Sequence, residues 1–140
     1  MAQQHDMTDT TQWTWSDGWI LMALYLVSRD QGANLYEIIA AADATNHAIP
    51  TAGELSSALT KFAQCGLIWQ HEGRYSIVGD YLSAIGKAYD SRGGLFATGD
   101  KGLKWLRRTR LPAQGTDCIE LSDAEVRAAY DRYVEAIQKH

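Results

Sequence analysis

The chain is poor in the residues that staple, kink or anchor a protein. Its 140 residues hold two cysteines and two prolines. Cys65 and Cys118 stand far apart, with no Cys-x-x-Cys pattern. That spacing excludes a disulfide-dense secreted scaffold and reads as two reduced, partly buried thiols in a cytosolic protein. The longest apolar run, Trp19 to Val27, is nine residues, against the roughly 20 that span a bilayer. It reads instead as a helix buried all round, and no membrane partner is expected. The first residues, MAQQHDMTDTTQ, lack a basic stretch followed by an apolar core, so no signal peptide is expected and the expected location is cytoplasmic.

Catalytic and metal patterns are equally scarce. None of the four histidines, His5, His47, His71 and His140, has a zinc-ligand spacing to Cys, Asp or Glu. Asp43 and His47 are four apart, a pairing more typical of a cap or a surface contact than of a catalytic dyad. Gly93-Gly94 and Gly99-x-x-Gly102 lack the strand-then-helix setting of a phosphate loop, and no Ser nucleophile elbow is present. The expectation is a non-enzymatic protein with no catalytic residues, no metal and no cofactor. The formal net charge of −4 does not suggest a generic polyanion binder.

What the sequence does contain is ordinary globular material: 46% hydrophobic and 21% charged residues, enough for one domain with a core of its own. Residues 1–15 read as a polar tail that packs down through Trp13 and Trp15. Ser16 and Asp17 suit a helix start, so a first helix is expected over about 17–28. Asn34-Leu35-Tyr36-Glu37 is a capping-box pattern, with Leu35, Ile38, Ile39 and Ala42 forming one apolar stripe behind it. Thr51-Ala52-Gly53-Glu54 repeats that grammar after Pro50, with Leu55, Ala58, Leu59 and Phe62 as its stripe. Gly66 follows as a left-handed cap. Residues 67–71 and 74–78 then alternate with period two around Glu72-Gly73, which predicts a β-hairpin. Asp80 and Thr98 are expected to cap two further helices, over about 81–91 and 99–109. Residues 111–121 read as a linker. Ser122-Asp123-Ala124-Glu125 is a third capping box, opening a helix over 122–140.

Three helices followed by a hairpin is the order of a winged helix. The segments TAGELSSALTKFAQCGLI, WQHEGRYSIVGD and ATGDKGLKWL resemble, in turn, a recognition helix, a wing and a post-wing helix. Over residues 16–110 the chain resembles the winged-helix members of the helix-turn-helix group, similar in layout to small bacterial regulators of the MarR and PadR type. The expected fold is mainly α with a small β-hairpin, a winged helix-turn-helix with additional C-terminal helices.

With Leu55, Leu59 and Phe62 inward, a step of about 100° per residue turns Gly53, Ser57, Thr60 and Gln64 outward, flanked by Ser56 and Lys61. The resemblance implies that this helix enters the major groove of double-stranded DNA, with Ser56, Ser57, Thr60 and Gln64 at base edges or phosphates and Lys61 and wing residue Arg74 on the backbone. A solvated helix face has the same composition. The charge is unevenly distributed: residues 1–95 hold five Lys/Arg against ten Asp/Glu, whereas residues 96–111 hold five against one. Lys101, Lys104 and Arg108 share a helix face there. They suit phosphate contacts, pairing with the acidic C-terminal helix, or plain solvation. In the last helix Val126, Tyr130, Tyr133 and Ile137 are spaced 4, 3, 4, a seam that fits either a homodimer contact or packing on its own domain. Two functions follow: a DNA-binding transcriptional regulator, and a winged helix used as a protein-interaction module without DNA.

Overall fold

The computed structural model describes residues 11–93 and 97–138. It is mainly helical with one two-stranded antiparallel hairpin: α1 (Trp15–Val27), α2 (Leu35–Asn46), α3 (Ala52–Gln64), β1 (Ile68–His71), β2 (Arg74–Ile77), α4 (Gly79–Tyr89), α5 (Thr98–Thr109) and α6 (Asp123–Gln138). The expectations for residues 1–10, Gly94, Lys139 and His140 lie outside the described residues.

Local chemistry sets most helix starts. Thr14 caps α1, accepting from the Asp17 amide while the Asp17 carboxylate accepts from the Thr14 amide. The expected start at Ser16-Asp17 is therefore two residues late, because Asp17 is the third helical residue of a box and not its cap. Asn34–Glu37 and Thr51–Glu54 close the two expected boxes, and Ser122–Glu125 closes the last. Each such cap contributes about 1 kcal/mol. By contrast α4 and α5 start without a side-chain cap; Asp80 and Thr98 lie inside their helices and do not cap them.

The core forms around α1. Ile20, Leu21, Met22, Ala23 and Leu24 have no exposed surface, but Tyr25 and Val27 are half-buried and Leu26 is 41% exposed, so the run expected to be buried all round is so only from Trp19 to Leu24, where α1 is surrounded by other elements. The Trp19 indole N–H donates to the Ala42 carbonyl of α2 at 3.0 Å. α5 lies so close to α1 that a methyl group on Gly18 would collide with the backbone of Gly99 and Leu103, and one on Gly102 with the Gly18 backbone. Gly99-x-x-Gly102 thus serves a helix crossing. Glu72 and Gly73 both have positive φ, 50° and 77°, the geometry of a tight type I′ hairpin turn. An isolated antiparallel bridge joins Ala33, between α1 and α2, to Tyr75. Tyr75, Ser76 and Ile77 are all buried, a departure from strict alternation; the Ser76 hydroxyl donates to the Arg29 carbonyl at 3.1 Å, so the chain after α1 also covers that side of β2.

The segment after α5 departs most from expectation. Residues 111–121 have no regular structure, yet they do not hang free. Leu111 and Ile119 are buried in the core, and the stretch between them lies along α3.

Candidate nucleic-acid interface

Two surfaces bear on the expected DNA contacts: the outer face of α3 and the basic side of α5. On α3 the polar side chains are taken by the chain itself. The Ser56 hydroxyl accepts from the Leu121 amide at 2.9 Å and donates to its carbonyl. The Thr60 hydroxyl accepts from the Ile119 amide at 2.8 Å and donates to its carbonyl at 3.0 Å. The Gln64 side-chain amide donates to the Asp117 carbonyl, and the Gln64 carbonyl accepts from the amides of Gln114 and Gly115. Residues 114–121 therefore form a strap running antiparallel to α3.

The register of this strap follows from element geometry. Four residues of α-helix rise about 6 Å, and two residues of extended chain advance about 6.6 Å. Positions 56, 60 and 64 of a helix thus keep pace with positions 121, 119 and 117 of an extended segment. A ladder of hydroxyl and amide side chains at i, i+4 and i+8 can satisfy alternate peptide units of such a segment.

Of the expected α3 contacts, Ser57 is the exposed one; Ser56, Thr60, Lys61 and Gln64 are half-buried. Lys61 does not project into solvent as expected. Its ammonium pairs with the Asp17 carboxylate, side chain 2% exposed, donates to the Gln12 carbonyl and lies over the Trp13 ring. Arg74 folds back from the hairpin to donate to the Gly32 carbonyl at 3.1 Å.

The basic residues of α5 behave differently. Lys101, Lys104 and Arg108 meet Lys87 and Arg92 around a groove of about 630 Å³ between α4 and α5, with Ala84, Ala88 and Trp105 in its lining and Asp100 as the one acidic residue among the described residues that line it. Lys101 donates to the Tyr89 carbonyl and covers the Tyr89 ring. Among the described residues, Lys87, Arg92, Lys104 and Arg108 make no ion pair. Lys87 and Arg92 are absent from the sequence reading because each is a lone cation in an acidic stretch. Only the α4–α5 packing brings them to Lys104.

The terminal seam is mostly used within the chain. Val126 is buried, Tyr130 and Tyr133 are half-buried, and only Ile137 is exposed, at 54%. The Tyr133 hydroxyl donates to Asp43 of α2 at 2.7 Å. Burial, then that bond and the Asp43 charge, push the Tyr133 pKa up to about 12. Both cysteines are free thiols; Cys65 is buried beside the Leu111 carbonyl, and burial pushes its pKa up, away from nucleophilic use. No group of His, Cys, Asp and Glu among the described residues is placed to hold a metal. No helix among them is long and apolar enough to cross a membrane. Comparison with known proteins finds no matching family model, no matching curated protein and no matching solved structure.

Proposed function

We propose that this chain is a non-enzymatic DNA-binding protein of the winged-helix type, a transcriptional regulator that holds the phosphate backbone through the α4–α5 groove. The observation that carries the reading is the convergence of Lys87, Arg92, Lys101, Lys104 and Arg108 on one groove, in a protein whose net charge is −4. Concentrating positive charge on one side of an acidic body lets the local potential attract a polyanion that the whole molecule would repel. The order α1, bridge at Ala33, α2, α3, hairpin supports the winged-helix layout.

The test is a titration with mixed-sequence duplex across salt concentrations. Affinity should fall linearly in log salt, with a slope of about 0.9 per phosphate contact. Lys104→Glu combined with Arg108→Glu should weaken binding to every sequence and reduce the slope by about 2. Absence of binding by the native chain at low salt would overturn the reading. A second reading, a winged helix that docks a protein partner without DNA, is favoured by the closed face of α3. It predicts that an acidic polypeptide binds the groove where duplex does not.

A further inference from the structure

The strap occupies the helix face that the winged-helix layout would present to the major groove. Its hold is polar and local. Among residues 112–118 every side chain is exposed, and the buried apolar anchors of the stretch are Leu111 at one end and Ile119 near the other. Segments with few apolar anchors and solvent-exposed hydrogen bonds open at free energies well below that of global unfolding. The groups bonded to the strap, two hydroxyls and a carboxamide, are also those that pair with base edges and phosphates. The strap satisfies them with peptide N–H and C=O groups. It also carries the exposed residues Asp117 and Glu120, whose negative charge opposes an approaching phosphate backbone.

We infer that residues 111–121 are an autoinhibitory strap: closed, they cover Ser56, Thr60 and Gln64 of α3, and duplex that binds the protein displaces them, freeing these groups beside the already exposed Ser57 for the major groove. This rests on the DNA-binding reading above. A duplex that engages α3 must displace the strap, so its apparent affinity is reduced by the fraction of molecules in which the strap is open.

Two measurements on the full-length chain test it. Cys118 lies in the strap and is exposed, whereas Cys65 is buried beneath its start. A nitroxide on Cys118 should therefore become mobile when mixed-sequence duplex is added, and modification of Cys65 should accelerate at least about tenfold as local opening uncovers it. The variant Ile119→Asp puts a carboxylate where a buried anchor stood; it should bind duplex about tenfold more tightly than the native chain. Its fold is checked by cooperative thermal unfolding, and the label measurement needs no variant at all. Duplex binding with the Cys118 spectrum and Cys65 protection unchanged overturns the strap and leaves the DNA reading standing, as does a folded Ile119→Asp variant with native or weaker affinity. Failure of both proteins to bind duplex at low salt overturns the DNA reading, and the strap proposal falls with it.

Discussion

Asp17 and Lys61 show how far a single residue's role depends on its distant partner. Asp17 closes the capping box of α1 and also neutralises an ammonium 44 positions along the chain. Removing one member of a buried pair leaves the other charge desolvated, which costs about 3–5 kcal/mol. Lys61→Met should therefore lower stability by that order, measured by urea unfolding. Breaking the exposed Arg127–Asp131 pair, with side chains 77% and 63% exposed, should change it by less than about 0.5 kcal/mol. In the sequence Lys61 reads as a solvated flank of α3, because nothing local to it announces the carboxylate that claims it. Ser56, Thr60 and Gln64 pose the same problem. Their outward direction was legible from the helical step, but not the chain that covers them.

At the level of elements, the boundaries that were legible are those written in side chains next to them. Asn34–Glu37, Thr51–Glu54 and Ser122–Glu125 each satisfy their helix's first amides within four residues. The hairpin was legible from alternation and Glu72-Gly73. The starts of α4 and α5 have no such bond and lie a residue or two from expectation. The α1–α5 crossing was not legible either, since Gly18 and Gly102 acquire meaning only against one another. Gly102→Ala should force the two helices apart and destabilise by about 1–3 kcal/mol or more, as overpacking does. Gly53→Ala at an exposed position of α3, where a methyl group meets no atom closer than 3.9 Å, should instead stabilise by about 0.4–1 kcal/mol. Thermal melts of the two variants should shift in opposite directions.

For the whole molecule, the docking of α6 on α2 ties the chain's end to its core through Tyr133 and Asp43. Tyr133 keeps its proton in the folded state to about pH 12, against an ordinary value of 10.0. Below pH 10 both folded and unfolded chains hold the proton, and the contribution is complete. Between 10 and 12 only the unfolded chain releases it, so stability should fall as pH rises through that window. In Tyr133→Phe that alkaline slope should diminish, with a loss of about 1 kcal/mol at neutral pH from the missing bond. Chemical unfolding followed at a series of pH values checks both. Charge is likewise a property of the whole: the excess of cations over residues 96–111 is visible as a run, but the five-cation groove exists only because α4 folds back along α5.

The amino-acid sequence by itself determined a mainly helical chain with one hairpin, three capping boxes, an apolar first helix and a basic stretch set in an acidic body. These follow from interactions within a few residues or from periodicity, which need no knowledge of neighbours. Tertiary structure alone decided which polar groups remain available. It gave Lys61 to Asp17, gave the outer face of α3 to residues 114–121, and gathered Lys87 and Arg92 to the cations of α5. The reason is physical: a hydrogen bond or ion pair between distant positions depends on where packing carries them, and apolar periodicity specifies what is buried without specifying what covers the rest.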